Sequence, residues 1–288
     1  MEMSEDRVFG ISRTYPAPPL SARAPGGMDL CSASVEGAEV VYASQGTGAH
    51  PALVFVHGWG SSHKFWKHAL SAFSPRYWCV APDLVGFGIS EKPRRDYSVE
   101  AYAVWLGKFL DALGRREVTL VGHSMGGAIS LLFALEHPER VTRLAVVNPL
   151  IQGSTAFSFR TRLLTLPGVR GLIYALGHVR PIRRWIAKDF SYVARLDDEI
   201  VDDVVRGTFQ STTESLNSLA RTDLVPRLGA LSVPTLAIGT DEDRIILGRQ
   251  HELIPTAEKV LIPHTGHIPM LERPEEFNRV LDEFLRRE

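Results

Sequence analysis

The stretch Val118-Thr119-Leu120-Val121-Gly122-His123-Ser124-Met125-Gly126-Gly127-Ala128 limits what this chain can fold into more than any other. A β-branched apolar run delivers a serine flanked by glycines, and apolar residues at helical spacing (Ala128, Leu131, Leu132, Leu135) begin at once beyond it. The order is strand, tight turn, helix. Gly122-His123-Ser124-Met125-Gly126 fits G-x-S-x-G, whose small residues let a strand and a helix crowd one sharp turn and leave the apex side chain exposed. Ser124 stands at that apex. The pattern also occurs by chance in surface loops, so the weight falls on whether the chain supplies the partners a reactive serine needs.

With 288 residues, 44% hydrophobic and 23% charged, the chain has the balance of a soluble globular protein able to bury a large core. One α/β domain with an inserted subdomain fits that length. A net charge of -1 supplies no global field to recruit nucleic acid or an anionic surface. Residues 1–20 carry Glu2, Glu5, Asp6 and Arg7 and lack the apolar core of a signal peptide, and no run of about eighteen apolar residues follows. The expected location is the cytoplasm. Cys31 and Cys79 lie in or beside strand-like runs without C-x-x-C spacing, and read as small core residues.

Residues 1–28, rich in Pro, Ala and Gly, show no clean period and read as a loosely packed arm. Residues 31–35 and 39–44 around Glu36-Gly37 read as a hairpin, and Ala52-Leu53-Val54-Phe55-Val56 as a strand buried on both faces. That strand runs into His57-Gly58-Trp59-Gly60. Glycines there either present backbone N–H groups to a developing oxyanion or simply cap the strand with a turn, and Trp59 is either a substrate contact or a packing residue. A strand at residues 77–81 leads to Asp83-x-x-Gly86-x-Gly88-x-Ser90, where Asp83 reads as a turn residue bonding backbone N–H groups. Residues 98–113 read as a helix with Ser98 as cap and Tyr102, Trp105, Phe109 and Leu113 inward. Strand 141–147 continues the strand and helix alternation that marks parallel βαβ units.

From Leu150 to about Leu231 the alternation stops, and short helical patterns with turn markers suggest a helical insertion. Residues 160–188 hold seven cations and no acid, interleaved with apolar residues. Such a segment covers a pocket with its apolar side while its basic side is solvated, or it meets lipid or an anionic amphiphile. Asp197, Asp198, Glu199, Asp202 and Asp203 read as a solvated acidic helix face. Alternation resumes at strand 233–238, which opens onto Asp241-Glu242-Asp243, and at strand 259–263, which opens onto His264-Thr265-Gly266-His267. A final helix starts at Pro274, with Phe277, Val280, Leu281, Phe284 and Leu285 on one face.

Ser124, an acid among 241–243 and a histidine at 264 or 267 thus follow three strand ends, which in an open parallel sheet converge on one edge. A serine alkoxide is too basic to exist free at neutral pH; a histidine must take its proton, and a carboxylate must orient that ring. The chain order Ser, Asp, His is that of α/β-hydrolases. On His57-Gly58-Trp59, Asp83-x-x-Gly86-x-Gly88-x-Ser90, the Ser124 motif and Gly266-His267-x-Pro269-x-x-Glu272-x-Pro274, the chain resembles that superfamily. Within it, the capped branch of esterases, carbon–carbon bond hydrolases, epoxide hydrolases and haloalkane dehalogenases is the nearest in pattern. The resemblance covers roughly residues 30–150 and 232–288.

The resemblance implies an α/β fold: a mostly parallel, eight-stranded type of sheet flanked by helices. The core comprises residues 29–150 and 232–288, with a helical cap at 151–231. It implies Ser124 as nucleophile, His267 as base in preference to His264, and the backbone N–H groups of Trp59 and Met125 as oxyanion donors, with Trp59 and His123 facing substrate. Asp243 is preferred to Asp241 as the acid, although Thr240 stands where the family places glycine; Asn148, where some relatives carry the acid, cannot hold the charge. Serine in place of aspartate favours acyl transfer over epoxide or haloalkane chemistry. The expected activity is hydrolysis of an apolar ester, thioester or related carbonyl compound. The rivals are carbon–carbon cleavage of a β-diketone-like substrate and, from another class, a non-hydrolytic ligand-binding protein. No cofactor or metal is implied. The expected partner is a small acyl or carbonyl molecule, without nucleic acid, with weak lipid contact through 160–188; the oligomeric state is open.

Overall fold

A strand with no polar face must be covered on both sides. In the computed structural model, which describes residues 23–24, 27–157, 169, 174, 179, 181, 184, 191, 197–203 and 206–287, the two apolar runs Ala52–Val56 (β4) and Val118–His123 (β6) are neighbours inside one sheet, and every residue of each is buried. Around them lie β1 (Arg23–Ala24), β2 (Met28–Val35), β3 (Ala38–Gln45), β5 (Trp78–Pro82), β7 (Val141–Val147), β8 (Thr235–Thr240) and β9 (Glu258–Ile262), in the order β1-β2-β3-β5-β4-β6-β7-β8-β9. Pairing is antiparallel from β1 to β5 and parallel from β5 to β9. The hairpin between β2 and β3 closes through Glu36 and Gly37, both at positive φ (53° and 82°), the backbone of a two-residue turn whose twist matches its strands.

Two details depart from the sequence expectation. Residue 28 does not end a loose arm: Met28 is already in β2, and Arg23–Ala24 pairs with Met28 and Asp29 as a short edge strand. Such a bridge needs backbone hydrogen bonds and no side-chain alternation, so periodicity has nothing to report. The acidic face is not wholly solvated either, because Asp203 is 1% exposed. It lies three residues after the buried Ile200, hence on the same helix face, and is turned inward with it.

Helices cover both sheet faces. Val99–Ala112 (α2) and Met125–Glu136 (α3) bury Tyr102, Trp105, Phe109, Leu131 and Leu132 on one side. Lys67–Phe73 (α1) and the C-terminal helix Pro274–Leu285 bury Leu70, Phe73, Phe277, Leu281 and Phe284 on the other. Helix α2 begins where Ser98 accepts the Ala101 N–H, 3.1 Å away. Cys79 is buried and Cys31 partly so, and both are free thiols. Between β7 and β8 the described residues form helices α4 (Gly153–Ala156), α5 (Asp198–Asp203) and α6 (Phe209–Arg221), the last opened by a capping box of Thr208 and Ser211. Of the basic stretch 160–188, Val169, Tyr174, Val179, Pro181 and Arg184 are described, and Arg184 pairs with Asp198; the expected lipid contact otherwise falls outside the described residues. Among the described residues no helix is long and apolar enough to cross a membrane.

Register decides what the sheet presents. Val56 pairs with Gly122, His123 with Val147, Val147 with Ile238, and Thr240 with Ile262. His57, Ser124, Asn148, Asp241 and the loop after β9 therefore emerge on one edge. The packing that holds α3 against this edge leaves no room for a side chain at Gly126, where a Cβ would lie 2.2 Å from the Val56 carbonyl oxygen and 2.6 Å from that of His57. Both atoms belong to backbone that cannot retreat without moving β4. Gly126→Ala is expected to cost roughly 3 kcal/mol or more, seen as loss of soluble protein or a drop of many degrees in Tm. A melting temperature within a few degrees of the parent would contradict this packing.

Candidate active site

Ser124 occupies the turn between β6 and α3 with φ 54° and ψ -114°, a region L-residues rarely adopt. The surroundings hold it there: its N–H donates to the Val147 carbonyl at 3.0 Å, and its own carbonyl accepts from Ala128 and Leu150. Ser124 is 7% exposed. Met125 is the first residue of α3, so its N–H is among the four that a helix leaves without an internal partner.

The turn after β4 passes against the serine. A Cβ at Gly58 would lie 3.1 Å from the Ser124 Cβ and 3.0 Å from the His123 Nδ1, which only glycine leaves open. His57, fully buried, fixes this turn. Its Nε2 accepts the Leu84 N–H at 2.9 Å, so Nδ1 carries the proton and donates to the Gly58 carbonyl at 2.8 Å. The Ser61 hydroxyl donates to the same carbonyl at 2.9 Å. In a trans peptide the C=O and the following N–H point oppositely, so anchoring the Gly58 carbonyl directs the Trp59 N–H to the other side. The Trp59 indole is half-buried and donates to the Thr212 carbonyl at 3.1 Å.

His267 is 1% exposed, and its Nδ1 lies 2.8 Å from Asp243 Oδ2. A carboxylate accepts only, so Nδ1 bears a proton, and in the neutral ring Nε2 is the nitrogen that can accept one. The other Asp243 oxygen accepts the N–H groups of Ile245 and Ile246 at 2.8 and 2.9 Å. Asp241 is exposed and bonds the Thr265 N–H at 3.3 Å, and His264 is exposed at the end of β9. The geometry therefore joins Asp243 to His267 and leaves Asp241 and His264 apart from them. A cavity of about 140 Å³ is lined by Asn148, Thr240, Asp241, Asp243 and residues 246–251.

His123, expected to face substrate, is 1% exposed, and its ring is spent elsewhere. Its Nε2 donates to the His267 carbonyl at 2.9 Å, and its ring centroid lies 4.6 Å from that of His267. Burial, reinforced by the neighbouring His267, holds its pKa well below the ordinary histidine value. Asn148 is a feature that sequence reasoning dismissed for lacking charge. It sits at φ 42°, which asparagine tolerates, and its Nδ2 donates to the His267 carbonyl at 3.1 Å and to the Thr240 hydroxyl at 3.0 Å. An asparagine at a strand end beside the site was the available signal. Asp83 has the structural role expected of it, accepting the N–H groups of His63 and Ile89, both at 2.7 Å.

These buried titratable groups make stability depend on pH. Desolvation lowers the pKa of His57, His123, His251 and His68 below 6.5. The folded state then binds fewer protons than the unfolded one, and stability falls as pH drops below 6.5. His63 runs oppositely: burial lowers it, but the Asp83 charge and hydrogen bond outweigh that and raise it. Its contribution is complete below 6.5 and lost as pH rises through the folded value. Asp83 is desolvated too, yet the charge and hydrogen bond of His63 hold it well below 3.8, so its contribution is lost only in stronger acid. Between pH 7.5 and 5 the lowered histidines prevail, and the urea midpoint is expected to fall. An equal or higher midpoint at pH 5 would contradict neutral His57 and His123.

The sequence model of the family described as alpha/beta hydrolase fold matches residues 51–274. The 2-hydroxy-6-oxo-2,4-heptadienoate hydrolase of Pseudomonas putida is 30% identical over 259 residues, covering 83% of this chain and 90% of its own. The 3-oxoadipate enol-lactonase 2 of Acinetobacter baylyi is 25% identical over 255 residues, covering 85% and 92%. Among solved structures, a membrane phospholipase A described as a bacterial virulence factor superposes with a TM-score of 0.79 at 27% identity, covering 91% of this chain and 87% of that one. With this match, a mostly parallel sheet and a serine turn at its edge, the chain belongs to the α/β-hydrolase family and is a hydrolase.

Proposed function

We propose that the protein is a serine hydrolase that cleaves an apolar carboxylic ester, thioester or related carbonyl compound through an acyl-enzyme. The observation that carries this reading is the Asp243 to His267 hydrogen bond, at the same sheet edge as the strained Ser124 turn. Ser124 Oγ attacks the carbonyl carbon as the His267 Nε2 takes its proton. Asp243 holds the ring in the required tautomer and stabilises the imidazolium. The N–H groups of Trp59 and Met125 receive the oxyanion, with Met125 at the positive end of α3. The protonated His267 then delivers its proton to the leaving oxygen or sulfur, and water, deprotonated by the same ring, releases the acid. His123 and Asn148 hold the His267 loop by its carbonyl. The described helices α5 and α6 of the 151–231 insertion cover the substrate as a cap, and the side chains bridging them to the core support that arrangement.

The likeness to the Pseudomonas putida hydrolase favours a second reading, cleavage of a carbon–carbon bond in a β-diketone-like substrate, with the same groups moving protons at carbon. The two separate in a stopped-flow experiment. With p-nitrophenyl esters of graded chain length, the ester reading expects a burst of p-nitrophenol equal to the enzyme concentration and a turnover that rises with apolar chain length. Slow ester turnover beside rapid loss of a β-diketone chromophore would select the second reading, and inertness toward both would reject each.

A further inference from the structure

We propose that Trp59 is a positioning residue through which helix α6 sets the geometry of the oxyanion turn, so that the insertion between β7 and β8 governs rate as well as substrate fit. The inference rests on the catalytic reading above. The indole N–H is the only polar atom of its side chain, and it is committed to the Thr212 carbonyl in the first turns of α6 at 3.1 Å. The same ring packs against both core layers, so side chain and backbone of Trp59 move together.

Three further contacts tie this turn and its support to the insertion. The Ser62 hydroxyl donates to Asp203 Oδ2 at 2.7 Å, and Lys64 Nζ lies 3.0 Å from the same oxygen; Asp203 is buried in α5, with Arg206 on its other oxygen at 2.7 Å. The Ser211 hydroxyl donates to the Gly86 carbonyl at 2.8 Å, which joins α6 to the loop whose Leu84 N–H holds His57. Residues 57–62 are thus fixed from the sheet side by His57 and from the insertion side by α5 and α6. A displaced α6 would draw the Trp59 N–H away from the position where oxyanion charge develops. Ground-state binding involves no such charge, so the effect falls on the transition state.

Trp59→Phe keeps an aromatic ring, smaller than the indole, and deletes the N–H. Toward a p-nitrophenyl ester we expect kcat to fall about tenfold, less than the loss of a whole oxyanion donor, with KM within about twofold. Affinity for a trifluoromethyl ketone, which forms a tetrahedral adduct, should fall by the same factor as kcat. The pH at half-maximal kcat/KM should stay unchanged, since His267 and Asp243 are untouched. Ser62→Ala, which loosens the same turn from α5, should give a smaller shift of the same kind and carries the test if the Phe variant does not fold. Unchanged kcat and inhibitor affinity would overturn the inference. So would a loss of activity matched by a loss of fluorophosphonate-titratable sites at constant kcat per site. Failure of the parent protein to label at Ser124 would instead overturn the catalytic reading on which the inference stands.

Discussion

Ser124→Ala is expected to lower kcat toward a p-nitrophenyl ester by about a millionfold while leaving the fold intact. The proposed reaction has no route around the hydroxyl: without Oγ there is no acyl-enzyme, and His267 has only water to activate. Any residual acceleration over solution would come from the oxyanion donors and from binding, both of which the substitution spares. Stability should change little, because alanine at φ 54° carries the same backbone strain as serine and the backbone bonds to Val147, Ala128 and Leu150 persist. The melting temperature should stay within a few degrees, which separates loss of chemistry from loss of structure. Retention of more than about a hundredth of the parent kcat would remove Ser124 from the nucleophile role.

The second large effect distinguishes two carboxylates that lie two residues apart. Asp243 Oδ1 accepts the N–H groups of Ile245 and Ile246, and Oδ2 faces the His267 Nδ1. In Asp243→Asn the amide oxygen would keep the two backbone donors, which turns the NH2 toward the ring. Nδ1 must then accept, the proton moves to Nε2, and the ring can no longer take a proton from serine. A fall in kcat of about ten-thousandfold is expected, in line with loss of the correct tautomer in triads generally. Asp241→Asn meets only a 3.3 Å contact to the Thr265 N–H and an exposed setting, so its effect should stay within about threefold. Steady-state kinetics on both variants check this, and the reverse ranking would move the acid to Asp241.

Much of the fold was legible in sequence because its core follows simple periods. Residues 141–147 were bounded without error, and α2 was bracketed by Ser98 and Gly114 through capping and glycine chemistry. The Ser124 turn was legible because a sharp turn crowded between strand and helix tolerates little but glycine around it. What escaped depended on long-range contacts. Asp203 carries the same charge as Asp197 and Asp198, and its burial depends on Ser62 and Lys64, distant in sequence, which join the nearby Arg206 in satisfying its carboxylate. His123 looks like a site residue by position, yet its ring turns toward the His267 backbone. Asn148 was judged by its charge alone, whereas its value lies in an amide that donates to a carbonyl from the next loop. The insertion offered neither motif nor clean period, and its described helices α5 and α6 are tied by side-chain bonds to loops distant in sequence, which no local pattern encodes.

The most direct measurement mixes the protein with one equivalent of a p-nitrophenyl ester, quenches in acid during the burst, and maps peptides by mass spectrometry. The acyl mass is expected on the peptide containing Gly122-His123-Ser124-Met125-Gly126, with fragment ions placing it on Ser124, and to be absent from Ser124→Ala. Turnover of the ester without an adduct at Ser124, or with an adduct on another residue, would contradict the central claim.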